Sequence, residues 1–360
     1  MPRNRLEPIL LTAGGPIGHG QTPDAQAVVP RGRKLASRTD GPSTESLLKT
    51  RPMSRCVLSI LVLAALPPSL YSQGFPPITI QSVVNAASFQ PGMPSGGTLA
   101  TVFCSNLIFG PFGFIPEGTF TAPPSAPLPF ELKGIGVMVN GALAPVLALA
   151  NSGAQAQINF QVPMERNATG IVYPDTGTLT IVQIFCPDTC LVGSASAPYT
   201  LAPPGLAGAA GGFFSDAKGY AVAQHASDFT PVTVQNPAHA GEALIAYADD
   251  FFAVWPPPPI AIPAPAQPLF TYAPILIQRY VTGGLYLQEY PKPTIKGFLV
   301  ASTPPLQVTF AGLAPGQIGT EQINFVVPAD QAPGDWALFY SNANQVHGGN
   351  TSPSVLLPVR

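Results

Sequence analysis

Two stretches decide the reading: Gln157-Ile-Asn-Phe-Gln-Val-Pro163 and Gln322-Ile-Asn-Phe-Val-Val-Pro328. Six of the seven positions are identical. In each, apolar residues alternate with polar ones, so Ile158, Phe160 and Val162 share one face, as do Ile323, Phe325 and Val327. That period of two is the signature of a half-buried strand. The closing proline cannot donate to a sheet ladder and marks the strand end.

Working outward, the flanks correspond as well. Gly97 to Asn106 and Gly241 to Asp250 are apolar runs launched from a glycine. Gly177 to Phe185 matches Gly334 to Tyr340, and Ser196 to Leu201 matches Thr351 to Leu356. In the first copy, Ile135 to Val139 and Ala142 to Ala150 flank Asn140-Gly141, a dipeptide suited to a tight type I′ hairpin turn. Each copy offers six or seven short strands, which predicts an all-β protein of two tandem immunoglobulin-like β-sandwich units. The 45 prolines and 35 glycines interrupt every candidate helix, so no helix longer than about three turns is expected after residue 73. The expected boundaries are 73–202 for the first unit and 203–360 for the second.

Residues 53–72 read as a secretory signal peptide. Arg55 supplies a positive start, Val57 to Leu66 an apolar run, Pro67 and Pro68 a break, and Ser72 a small residue before Gln73. The apolar run is too short to span a bilayer, which takes about 20 residues. Residues 1–52 read as a disordered leader, either untranslated, with synthesis starting at Met53, or a cytoplasmic tail ahead of an uncleaved anchor. Cys56 lies at the front of the apolar run, unlike a lipid-attachment cysteine. The protein is therefore expected to be secreted or at the cell surface, with no membrane span after cleavage.

Taken together, Val84-Asn-Ala-Ala-Ser-Phe-Gln-Pro91, the Gly97 strand ending in Ser105-Asn-Leu107, and Gln157 to Pro163 resemble an uncharacterised C-terminal domain family of secreted acidobacterial proteins. In the second half the matching features are Gly312-Leu-Ala-Pro-Gly316 and Gln322 to Pro328. The resemblance covers about Ile78 to Arg360. It implies an exported pair of sandwiches of the cell-surface Ig-like class, with no established activity and no catalytic residues to carry over. The Cys186–Cys190 loop and a long second-half insertion depart from the pattern.

The composition excludes some functions. Charged residues are 9% of the chain. From Gln73 onward there are seven basic and fourteen acidic residues, a net −7, which argues against nucleic acid as a partner. There is no nucleophile elbow, no His-Glu-x-x-His and no phosphate-cradling loop. His225, His239 and His347 are not spaced as metal ligands. The expectation is no enzyme, no cofactor and no metal, with a hydrolase of unusual site as the outlying alternative.

Cys186 and Cys190 sit four residues apart at a turn, and in an exported chain read as a disulfide. Cys104, within a strand, reads as a buried thiol. Asp249-Asp250 reads as a solvated turn, with a Ca²⁺ ligand pair as the alternative. The recurring Gln157/Gln322 and Asn159/Asn324 read as structural amides bonded to backbone.

The last candidate is the insertion at 251–300. Gly97 precedes Gln157 by 60 residues and Gly241 precedes Gln322 by 81, an excess of 21. The stretch holds nine aromatics and the run Pro256 to Pro259. Either these rings cover the second sandwich or seal the contact between units, or they form a surface for an extracellular protein or glycan. In the second case Trp255, Tyr272, Tyr280 and Tyr286 are the expected contacts.

Overall fold

The computed structural model describes residues 77–107, 117–123, 127–164, 176–185, 191–200, 211–251, 254–255, 259–272, 284–289, 294–295, 298–299, 306–341 and 352–360. These belong to one compact unit. The described part is all-β, with no helix, as the proline and glycine spacing predicts. No helix among the described residues is long and apolar enough to cross a membrane. The leader (1–52), the signal-like segment (53–72), Cys186, Cys190, Tyr280 and His347 lie outside the described residues.

The first half contains β1 (Thr79–Asn85), β2 (Leu99–Ser105), β3 (Gly118–Thr121), β4 (Glu131–Leu132), β5 (Ile135–Val139), β6 (Ala142–Ala144), β7 (Val146–Asn151), β8 (Ala156–Gln161), β9 (Thr176–Phe185) and β10 (Leu191–Thr200). They form two antiparallel sheets, ordered β1-β2-β8-β7-β3 and β10-β9-β5-β4, with β6 on β5. Both sheets contribute to one core. Val102, Ile158, Phe160 and Leu149 come from the first, and Ile135, Val137, Leu179 and Ile181 from the second. Asn140 and Gly141 both take positive φ, 49° and 83°, as the I′ turn requires. Cys104 is buried and free among this core, and burial pushes its thiol up to about 12.

The second half contains β11 (Gly212–Phe213), β12 (Ala223–His225), β13 (Ala243–Asp249), β14 (Val254–Trp255), β15 (Thr271–Tyr272), β16 (Gly284–Glu289), β17 (Thr294–Ile295), β18 (Phe298–Leu299), β19 (Gln307–Leu313), β20 (Glu321–Val326), β21 (Gly334–Ser341) and β22 (Val355–Val359). One sheet runs β11-β13-β20-β19-β15-β14 with β12 on β13, another β16-β21-β22, and β17 pairs β18. Leu244, Ala246, Ile323 and Phe325 of the first meet Leu338, Tyr340, Leu357 and Val359 of the second in one core.

The two halves repeat in register. Leu99 pairs Gln161 and Cys104 pairs Ala156, just as Ala243 pairs Val326 and Ala248 pairs Glu321. Each half has a bulge at the same place, after Val146 and after Val308. The same loop follows β1 and β12. Asn85 N–H donates to Gln90 O and Phe89 N–H to Asn85 O, while His225 N–H donates to Thr230 O and Phe229 N–H to His225 O. Phe89 and Phe229 share a positive φ, 56° and 60°. Position by position, Asn85 therefore corresponds to His225, Ser105-Asn106 to Asp249-Asp250, Ala156 to Glu321 and Gln161 to Val326.

Candidate functional site

The features that distinguish the halves converge on the seam where they touch. Three carboxyl groups at the end of the second half are buried there: Asp249 at 0% exposure, Asp250 at 3% and Glu321 at 1%. β13 carries Asp249, the turn after it holds Asp250 at φ 58°, and the first residue of β20 is Glu321. Opposite them lie the Asn85–Ser88 loop and the Ser95–Leu99 turn of the first half. Asn85 Nδ2 donates to Asp249 Oδ2 at 2.9 Å and Leu99 N–H to Asp249 Oδ1 at 3.0 Å. Ser95 N–H donates to Asp250 Oδ2 at 3.3 Å, and Phe251 N–H to Glu321 Oε2 at 2.9 Å. Asn85 Oδ1 in turn accepts from the N–H groups of Ala87 and Ser88, which fixes the amide with its nitrogen toward the acid. The expectation of a solvated turn at Asp249-Asp250 is thus wrong. The strand end is covered by the other half of the chain, which a strand-by-strand reading cannot see.

Burial pushes the Asp249 carboxyl well above its ordinary range; the neighbouring Asp250 and then Glu321 add to this, against the Leu99 and Ala86 N–H groups. Burial likewise lifts Asp250 to about 6, in spite of its bonds from Ser95. Both Asp249 oxygens already accept N–H donors. Among the described residues no group of three or more His, Cys, Asp or Glu is placed to hold a metal ion.

Beside the acids, Gln161 ties the insertion down. It is fully buried. Its Nε2 donates to Gly97 O at 2.9 Å and Pro259 O at 3.0 Å, and its Oε1 accepts from Ala261 N–H at 2.8 Å. Leu128 N–H donates to Ala261 O, Ala264 N–H to Gln317 O and Gly316 N–H to Ala264 O. An apolar cluster of Ala86, Leu99, Leu128, Leu147, Ala148 and Ala261, with Phe214, Ile260 and Ile318 packed on it, fills the space between. Two glycines permit the close approach. A Cβ on Gly212 would stand 2.6 Å from Ser88 Cβ. On Gly319, which also needs φ of 62°, it would stand 2.8 Å from Leu99 Cδ2 and 2.9 Å from Gly97 O.

Within the insertion, Pro259 to Ala261 therefore lie against the first half, with Pro259 O, Ala261 N–H and Ala261 O bonded to it. Trp255 and Tyr272 belong to a short ribbon at the edge of the larger sheet, where Trp255 pairs Thr271 and Tyr272 pairs Val254. The two positions consequently fall on alternate faces of the ribbon. Tyr286 pairs Phe339 in the other sheet. The four aromatics expected as one surface are thus not brought together: Trp255 and Tyr272 share the ribbon, Tyr286 lies in another sheet and Tyr280 is outside the described residues.

At the opposite loops of the second half, His225 Nδ1 meets Glu242 Oε1 at 2.6 Å and His225 Nε2 faces Asn236 O at 3.3 Å. Glu242 Oε2 also accepts from His239 N–H. Both ring nitrogens of His225 are occupied. The recurring amides bond each other instead of backbone: Gln157 Nε2 donates to Asn159 Oδ1 and Gln322 Nε2 to Asn324 Oδ1, with Thr101 Oγ1 joining the first pair.

No protein-family model and no curated protein matches the chain. Sequence reasoning missed the seam, yet its signal was present. Gln161 is the one position at which the seven-residue repeat fails.

Proposed function

We propose that this chain is an exported, non-catalytic interaction or structural module of two tandem immunoglobulin-like sandwiches, related to the secreted acidobacterial family it resembles. The repeated strand order, bulge and loop support the two-sandwich reading. The observation that carries the functional reading is where the buried polar groups are spent. Asp249, Asp250, Asn85 and Gln161 are all engaged in joining the halves. A chain that invests its desolvated side chains in fixing two modules to each other is built to present surfaces in a set relation.

A glycan or peptide surface is the second reading, with Trp255 or Tyr272, one on each face of the ribbon, as a contact; the ribbon's return segment is anchored through Thr271–Gly312 pairing and Leu313 N–H to Phe270 O. Aromatics on anchored backbone give contact area at low entropic cost.

Two measurements test this. N-terminal sequencing of protein recovered outside the cytoplasm is expected to begin at Gln73. Binding of the exported chain to a glycan array and to envelope fractions is then compared with Trp255→Ala and Tyr272→Ala. Retention in the cytoplasm, or turnover on a hydrolase panel, would overturn the proposal. Attachment unchanged in both variants would remove the aromatic ribbon as its surface.

A further inference from the structure

We infer that the outer face of the larger sheet in the second half is a binding site for a neutral glycan, which deepens the glycan reading above and rests on it. Leu244 and Ala246 of β13 and Ile323 and Phe325 of β20 point into the core. Ile245, Tyr247, Gln322 and Asn324 alternate with them and stand on the opposite face. Asn324 lies between Ile245 and Phe310 of the neighbouring strands, and Gln322 between Tyr247 and Gly312. Gln224 of β12 pairs with Ile245 at the near edge. Gln224, Tyr247, Phe310, Gln322 and Asn324 are all half-buried. At Gly312 a Cβ would run into Phe270 O and stand 2.9 Å from Thr271 Cα, so the backbone of the ribbon's return segment rims this face.

The two copies share an amide ladder here and differ in what surrounds it. Gln157 Nε2 donates to Asn159 Oδ1 at 2.9 Å, and Gln322 Nε2 to Asn324 Oδ1 at 2.8 Å. In the first half the ladder is closed over: Thr101 and Gln157 are each 1% exposed. Around it stand Val84, Phe103 and Ala148, where the second half has Gln224, Tyr247 and Phe310. Tyr247 donates its hydroxyl to Gln224 Oε1 at 3.0 Å, which fixes both. The second copy has thus added a hydroxyl, an amide and a ring to a face that the first copy keeps closed.

The ladder also orients these groups. With Asn324 Oδ1 accepting from Gln322, Asn324 Nδ2 is left to donate and Gln322 Oε1 to accept. The Tyr247 bond leaves Gln224 Nε2 to donate in the same way. A sugar hydroxyl both donates and accepts, so neighbouring hydroxyls match an amide's N–H and C=O. Phe310, across from Asn324, supplies a ring for the apolar C–H face of a pyranose. No position in these rows is charged, nor are Ala243, Val326 and Gln307 in the next row. A charged ligand finds no counter-charge there, and a neutral polyhydroxyl one needs none. An added peptide strand needs a free sheet edge, whereas β20 is flanked by β13 and β19.

A neutral-glycan array and affinity gels cast with neutral polysaccharides test this on the full chain, with sulfated and carboxylated glycans and extended peptides as controls. The unaltered chain is expected to bind at least one neutral glycan, with an affinity that changes by less than about twofold between about 0.05 and 0.5 M salt. Asn324→Ala should weaken that binding about tenfold. Tyr247→Phe keeps the ring, matches Phe103 of the first copy and should weaken it about threefold. Asn159→Ala, in the closed copy, should leave it unchanged. If Asn324→Ala does not fold, Gln224→Ala takes its place beside Tyr247→Phe. Glycan binding that the folded face variants leave unchanged overturns this site and leaves the glycan reading standing. Binding to charged glycans or to peptides alone overturns the site as well, and binding to no glycan and no peptide ends both readings.

Discussion

Exchanging the odd residue of the repeat tests the seam most sharply. Gln161→Val gives the first copy the residue of the second, and Val326→Gln does the reverse. Valine suits a strand at either place, so the ladder between β2 and β8 should persist. What Gln161→Val removes is one acceptor and one donor serving three backbone groups: Ala261 N–H, Pro259 O and Gly97 O. Ala261 is 6% exposed, so its N–H has little access to water. An unsatisfied buried donor costs about 1–3 kcal/mol, and each carbonyl loses a bond worth about 0.5–1.5 kcal/mol. The expected loss is roughly 3 kcal/mol. At about 2–4 °C per kcal/mol for a body of this size, thermal unfolding followed by far-UV circular dichroism should drop by about 6–12 °C. Val326 is only partly buried, and among the described residues it makes no hydrogen bond to the first half. Val326→Gln should therefore cost under about 1 kcal/mol. A Gln161→Val midpoint within about 2 °C of the parent, or an equal loss in both exchanges, would refute the idea that Gln161 clamps the insertion.

Other consequences are open to measurement. Gly319→Ala adds strain at φ of 62° to a contact with Leu99, and should cost about 2–4 kcal/mol in denaturant unfolding, more than Gly316→Ala, where a Cβ meets open space. Cys104, with its thiol pushed up to about 12 by burial, should resist iodoacetamide at pH 8 in the folded chain and react on unfolding, as read by peptide mass spectrometry. Phe160→Ala and Phe325→Ala, both at 0% exposure, should each cost about 3–5 kcal/mol in the same denaturant assay. Non-reducing peptide maps of exported protein should show Cys186 bridged to Cys190, with Cys104 in neither partner's peptide.

Local chemistry made much of the fold readable. Alternation in Gln157–Pro163 and Gln322–Pro328 placed Ile158, Phe160, Ile323 and Phe325 in their cores, and Asn140-Gly141 turned as its positive φ angles require. These signals act within a few residues. The seam was not readable in that way, because Asp249 and Asp250 look like a polar strand end until a surface about 150 residues earlier covers them. The recurring amides misled for a related reason. Gln157 and Asn159 lie two apart on one strand, where side chains on the same face reach each other before they reach backbone. Comparing the copies gives more than reading either alone. Identity marks what each half needs for itself, and departures such as Gln161 for Val326 mark what one half needs from the other.

The seam joins unlike surfaces, and a head-to-tail contact of that kind has no inherent stopping point: repeated, it grows a filament. Here the matching ends have been altered. The first-half positions matching Asp249 and Asp250 of the seam carry Ser105 and Asn106. Asn106 spends its amide on Pro77 O. The loops of the second half that would receive a following unit present His225, already bonded to Glu242, where the seam uses Asn85. Among the described residues, neither end repeats the pairing of Asn85 with Asp249 that the seam uses.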